Sequence, residues 1–309
     1  MKQRPYPVQI MALLTAVLLL LAACSPATDD TGGEKKVLRL GLVPFESGEE
    51  LLKDMQPLID VIEQGMQMEV NPMVATDYTG VVESFKNNQL DAAFLSPASY
   101  VLAKQEADVR IILKSMRDGS GVYYGAIIVH RDSPIKTMQD LKGKSFSFGD
   151  PISTSGHIFA RKMMLEAGIK PESDLEKFIY SGSHDATILA VLNRKVDAGA
   201  TYADDNQGKS SSWMRFLEPK DQDKIRVLKY TEPIPSDTIV VSKELSPELA
   251  DRLQKTVLDF SSSPEGAALI KKLYKFDGYA PATDSDYQAV RDGFAAAGLN
   301  LKEKLKEGK

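Results

Sequence analysis

Apolar residues alternate at Leu38, Leu40 and Leu42, the period-two mark of a strand with one buried face. Directly after it, Leu51, Leu52, Met55, Leu58, Ile59 and Ile62 recur at helical spacing. Pro57 lies inside that run and predicts a kink or a late helix start, because proline lacks the N–H that bonds the preceding turn. The same reading places further strands at 68–73, 90–95, 109–113, 122–129, 145–148, 178–180, 196–200, 225–228 and 238–241, with helical stretches between most of them. Strands that alternate with helices predict an α/β fold with largely parallel sheets. The C-terminal third reads as helical, at 247–260, 264–273 and 284–296.

One pattern occurs twice. Asp77-Tyr78-Thr79-Gly80 opens an amphipathic helix that ends in a polar turn and an apolar strand beginning Asp91-Ala92; Ser183-His184-Asp185-Ala186 opens another that leads to Asp197-Ala198. Any two helix–turn–strand units share this outline. The functional reading is two similar lobes facing each other across a cleft, with Tyr78 and His184 in matching places at helix N-termini, where ligands of open α/β sheets bind. Such lobes need crossings, and the extended apolar segments 121–129 and 232–241 are the candidates, the second stiffened by Pro233 and Pro235. The first lobe then covers 37–125 and returns at 236–309, and the second covers 126–235.

Candidate chemistry concentrates between a strand and a helix, in Phe148-Gly149-Asp150-Pro151-Ile152-Ser153-Thr154-Ser155-Gly156-His157. The first turn of a helix carries N–H groups without internal partners and the positive end of the dipole, so it receives anions readily. Hydroxyls add donors that rotate to suit. One of them is enough to cap the helix; three in a row with Gly156 exceed that need. The Gly-Lys-Ser/Thr ending of a nucleotide-binding phosphate loop is absent.

Charge narrows the partners. With 38 basic and 43 acidic residues the net charge is −5, and no basic stripe appears, which argues against nucleic acid. The three histidines, His130, His157 and His184, lie too far apart for a zinc site, so no metal and no cofactor is expected. No Gly-x-Ser-x-Gly elbow occurs, and the adjacent His184 and Asp185 point in different directions, which leaves no catalytic set with Ser153.

The N-terminus reads as a processing segment. Lys2 and Arg4 precede an apolar run over 11–21, then Leu21-Ala22-Ala23-Cys24. A charged start, a short apolar core and small residues at the cut describe a secretory signal over 1–23. Cys24 is the sole cysteine, unable to form an internal disulfide, and its setting resembles a bacterial lipobox whose cysteine is acylated. The polar, Pro- and Gly-containing stretch 24–36 reads as a flexible tether.

The hydroxyl run after Gly149-Asp150-Pro151, the turn Ser181-Gly182-Ser183-His184 and the segment Ile234-Pro235-Ser236-Asp237 occur together with Ala75-Thr76-Asp77-Tyr78, Leu95-Ser96-Pro97-Ala98-Ser99-Tyr100 and Arg131-Asp132-Ser133-Pro134-Ile135. From Leu38 to about Phe276 the chain resembles the phosphate/phosphite/phosphonate-binding proteins of ABC transporters. The resemblance implies a two-lobed periplasmic-binding-protein fold of type II with two crossing strands. It also implies a substrate-binding lipoprotein that captures a small phosphorus oxyanion and delivers it to a permease: exported, anchored through lipid on Cys24, monomeric and not an enzyme. Carried over residue by residue, it makes Tyr78 and Tyr123 aromatic walls, Ser153, Thr154 and Ser155 the hydroxyl donors, His184 a further donor, and Asp237 an acid at the second crossing. Asp204 stands where binders of aminoalkylphosphonates carry a glutamate. Being one methylene shorter, it puts an amine-bearing ligand in doubt. Two carboxylates beside an anion need a proton or a cation to share, from a P–OH or an ammonium. A ligand-sensing module for a membrane receptor and an enzyme on the same fold are the competing readings.

Overall fold

The computed structural model describes residues 37–299. The signal segment, Cys24, the tether and the last ten residues lie outside the described residues. Eleven described strands form two sheets. The first has the order β11 (Gly278–Pro281), β4 (Arg110–Met116), β10 (Thr238–Val241), β3 (Ala92–Leu95), β1 (Val37–Leu42), β2 (Glu69–Val74). The second has the order β7 (Lys177–Tyr180), β6 (Ser145–Phe148), β8 (Ala198–Ala203), β5 (Val122–His130), β9 (Ile225–Pro235). Each sheet is the middle of a lobe.

Both sheets are mixed rather than largely parallel. β1 runs parallel to β2 and β3, and β6 parallel to β7 and β8. β10, β11, β5 and β9 pair antiparallel with their neighbours. The reversed strands are mostly those next to the crossings, where the chain passes from one sheet to the other without a connecting helix.

Helices cover both faces, so central strands are apolar on both sides. On β5, Ala126 and Ile128 face one core, with Ile188 and Val191 of the helix His184–Leu192; Ile127 and Val129 face the other, with Ala160, Met163 and Met164 of the helix Phe159–Glu166. In the first lobe, Gly48–Met66 and Pro247–Ser262 pack on one face and Tyr78–Lys86 and Pro97–Ala107 on the other. The helix Gly48–Met66 starts on time and runs through Pro57, with Leu51, Met55, Leu58, Ile59 and Ile62 buried. Burial of that stripe outweighs the one hydrogen bond proline removes.

The sequence repeat is a structural one. Asp77 and Ser183 cap the two helices through their side chains. Tyr78 and His184 are the first helical residues, and the strands that follow, β3 and β8, lie parallel to β1 and β6. Even the aspartates correspond: Asp91 accepts from the backbone and guanidinium of Arg39 on β1, and Asp197 from the backbone and hydroxyl of Ser145 on β6.

The first crossing differs from the expected one. β5 pairs with β9 from Val122 onward, so the chain changes sheets at 117–121, where Arg117 and Ser120 close a tight turn. The second sheet therefore begins before residue 126. β9 stays paired with β5 through Pro235, and the return passes through Ser236 and Asp237 alone. A third connection comes from the C-terminal segment. Tyr287, Val290 and Phe294 share a core with Tyr100 and Val101 of the first lobe and with Ile158 and Phe159 of the second. Gly293 allows this, since a Cβ there would stand 2.9 Å from the Phe159 ring.

Replacing Phe294 by alanine removes a buried ring from that shared core. It is expected to cost about 3–5 kcal/mol, measured by urea unfolding.

Candidate ligand-binding cleft

Between the lobes lies a cavity of about 120 Å³. Its second-lobe wall is the hydroxyl run. Ser153 caps a wide π-type turn, Thr154–Ile158, that passes into the helix Phe159–Glu166. Such turns are rare and favour functional positions. Ser153 Oγ accepts from Gly156 N–H at 3.1 Å, and Thr154 Oγ1 accepts from Ala98 N–H of the opposite lobe at 2.9 Å. Both bonds use hydroxyl lone pairs, so each O–H is left to donate. The capping reading and the donor reading of Ser153 are thus compatible. Gly156 is required for the approach: a Cβ would lie 2.9 Å from Ser153 Oγ and 3.3 Å from His184 Cε1.

The lobes are joined across the cleft by a reciprocal pair of bonds. Tyr78 N–H, in the first turn of its helix, donates to Asp150 Oδ2 in the loop after β6 (3.2 Å). His184 N–H, in the matching turn, donates to Phe45 O in the loop after β1 (3.0 Å). Each repeated helix reaches the loop behind the first parallel strand of the other lobe. Burial pushes the Asp150 carboxyl up to about 6 despite the two backbone donors it accepts from.

His184 is buried, with Nδ1 3.1 Å from Thr201 Oγ1 and its ring edge-on to Tyr202. Burial, opposed weakly by Asp185, pushes the imidazole down to about 4, so at neutral pH it is an uncharged donor or acceptor. Tyr78 and Tyr123 line the same cavity, and burial raises both phenols above their ordinary value, which keeps them protonated. His157 belongs to the framework: it bonds Pro151 O and Tyr180 OH.

Of the two acids, Asp237 lines the cavity as expected and Asp204 does not. Arg117, buried at the first crossing, donates from Nε to Asp204 Oδ1 (2.9 Å) and from Nη2 to Asp237 Oδ2 (3.0 Å). Nη1 bonds the hydroxyls of Ser115 and Ser236. Asp204 also accepts from Ser210 and does not line the cavity, which corrects its assignment as a ligand contact. Its link to the cavity runs through its ion pair with Arg117. Asp237 does line the cavity, with 45% of its side-chain surface accessible. That surface faces the cleft, and burial among the cleft walls raises the carboxyl above its ordinary value although Arg117 opposes the shift. Burial works against the Arg117 charge, but Asp237 and Asp204 outweigh it and hold the guanidinium charged.

Tyr78, Tyr123, Ser153, Thr154, Ser155, His184 and Asp237 therefore converge on one cavity. Sequence reasoning missed Ser96, Arg117, Tyr202, Arg215 and Thr238, which line it as well. Ser96 left a signal, a serine cap with proline at the first helical position after a strand. Arg117 left none, being one basic residue between a strand and a Gly-containing turn.

Residues 40–287 match the family model of ABC transporter, phosphonate, periplasmic substrate-binding proteins. The chain belongs to that family. It is 29% identical over 282 residues to the phosphonates-binding periplasmic protein of Escherichia coli, covering 89% of this chain and 80% of that one. It is 28% identical over 306 residues to the phosphate-import protein PhnD of Mycolicibacterium smegmatis, covering 92% of this chain and 94% of that one. Its fold matches PhnD1 of Prochlorococcus marinus, solved in complex with methylphosphonate, with a TM-score of 0.74 at 20% identity over 86% of this chain and 100% of that chain. The architecture is thus the two-lobed type II binding-protein fold, and the chain is the substrate-binding component of an ABC transporter.

Replacing Arg117 by methionine strands the buried carboxylate of Asp204 and leaves the partly buried Asp237 without its cation. The expected loss is about 3–5 kcal/mol of stability, read by urea unfolding, and Asp204→Asn in the same chain should recover part of it. His184 should titrate by NMR with a midpoint near 4 rather than the ordinary 6.5. Between those values the unfolded chain takes the proton more readily, so this residue removes stability as pH falls below 6.5 toward 4. Glu46, pushed up to about 7 by burial, acts in the opposite sense as pH rises, which is why the imidazole signal and not the melting temperature is the proper readout.

Proposed function

We propose that this binding protein captures a small phosphorus oxyanion, a phosphonate or phosphite, between its lobes and hands it to its permease without chemical change. The observation that carries the reading is the convergence of uncharged donors on one cleft: Ser153, Thr154 and Ser155 on one wall, with Tyr78 and His184 facing them. Oriented dipoles and hydroxyls can bind an anion at a helix start without a cationic side chain in contact. Asp237 supplies the complementary acceptor. A phosphonate monoanion keeps one P–OH, and that proton is what a carboxylate beside an anion requires. Phosphate, named for the Mycolicibacterium relative, offers the same P–OH, so the head group alone does not exclude it.

Delivery follows from closure. Contacts that need both lobes, such as Thr154 with Ala98 and His184 with Phe45, form only when the lobes meet, and ligand held by both walls favours that state. Export through the segment 1–23 and tethering through a lipid on Cys24 complete the reading, with the protein acting as a monomer at the membrane surface.

The test is a thermal-shift and calorimetry panel of phosphite, methylphosphonate, phosphate, sulfate and amino acids. Ligand at about 100 times its Kd should stabilise the protein by about 2.7 kcal/mol. At least one P–C or P–H compound should do so, recovered unchanged from the complex; a response to amino acids alone would refute the assignment. Ser155→Ala should weaken binding of that compound roughly 10- to 100-fold, the worth of one hydrogen bond to a charged group, with little effect on the unliganded melting temperature.

A further inference from the structure

The cleft continues past the hydroxyl wall into the first lobe, where Leu42, Met55, Phe94, Tyr274, Phe276 and Tyr279 line it. This end is apolar. Tyr274 and Phe276 stack with centroids 5.7 Å apart, and Phe276 meets Tyr279 edge-on at 5.2 Å. The Tyr274 hydroxyl is committed to Asp54 O at 2.8 Å, so its ring is what the tyrosine offers. Arg117 marks the seam between the two ends, its guanidinium 5.2 Å from the Tyr123 ring and 5.5 Å from the Phe276 ring.

Size and charge both bear on what fits there. The cavity holds about 120 Å³. One water needs roughly 10–15 Å³ on the same measure, so there is room well beyond a phosphonate head with a single carbon. Every carboxylate near this end is held by an arginine. Asp204 and Asp237 bind Arg117, and Glu46 and Asp54 bind Arg215 at 2.8 and 3.0 Å. A ligand ammonium would lie close to two guanidinium cations, and the carboxylate it could reach, Asp237, already shares its charge with Arg117 and serves as acceptor for the P–OH. An alkyl group meets no charge repulsion there and packs on the rings of Phe94, Tyr274, Phe276 and Tyr279, the Met55 thioether and Leu42.

Resting on the oxyanion reading above, we infer that the apolar end receives the organic substituent of the ligand, and that the substrate class is phosphonates with an uncharged hydrocarbon group of about three carbons rather than aminoalkylphosphonates. The two classes differ at one atom in a matched pair of probes: n-propylphosphonate and 2-aminoethylphosphonate have the same number of non-hydrogen atoms and the same head group.

Calorimetry on the unmodified protein with methylphosphonate, n-propylphosphonate and 2-aminoethylphosphonate is the test. Two further buried methylenes should make the propyl compound bind about tenfold more tightly than the methyl one. It should exceed the aminoethyl compound by at least that factor. Equal affinity of propyl and methyl compounds, or aminoethyl binding as tightly as propyl, would overturn the inference while leaving the oxyanion assignment standing. Failure of all three, with phosphite and phosphate also inert, would overturn both.

Discussion

One buried guanidinium, that of Arg117, ties the two crossings and the cleft together. Two carboxylates close together are costly unless something positive lies between them, and Arg117 is that group. It sits where the chain leaves the first sheet, reaches Asp204 on the second and Asp237 on the return crossing, and takes up the hydroxyls of Ser115 and Ser236. The hinge is thereby tied to the binding site. Both crossings and the start of the second lobe share one ion pair network, so any rotation of the lobes must either carry it along or break it. The arginine spends its charge on the acids, and in the proposed reading the anion is left to the hydroxyls, the helix start and a neutral imidazole.

The remainder of the closed arrangement follows from the duplicated helix–strand unit. Duplication puts two helix N-termini opposite one another, and each first-turn amide finds an acceptor behind the first parallel strand of the other lobe. Helix starts have amides to spare, so two lobes built alike can join at little cost to either. The C-terminal segment then spans both lobes from behind, with Phe294 and Val290 in a core that includes Phe159 and Tyr100.

Much of this was legible in the residues. Strand positions follow from the alternation and apolar runs of the buried sheets, and the repeat was visible because Tyr78 and His184 each follow a capping residue at the same point of the pattern. The hydroxyl wall of the cavity is legible because Ser153-Thr154-Ser155 carries more hydroxyls than a cap uses. Three things were not. β11 has four residues, includes a glycine and ends in proline, and its identity comes from pairing with β4 rather than from propensity. The start of the second sheet carries no local mark, since Val122–His130 reads as one extended run and only its pairing with β9 shows that all of it belongs to that sheet. Arg117 and Asp204 lie 87 positions apart, and no local pattern marks a long-range ion pair. Position along the chain groups Asp204 with the ligand contacts, whereas its carboxylate pairs with Arg117, which lines the cavity.

The arrangement of hydroxyls, imidazole and arginine is tested most directly by a crystal structure of the protein with methylphosphonate. The phosphonyl oxygens should lie within hydrogen-bond distance of Ser153, Thr154 and Ser155, with His184 alongside and Arg117 still paired to both aspartates. A ligand bound head-first to the Arg117 guanidinium, with the hydroxyl wall empty, would contradict the account.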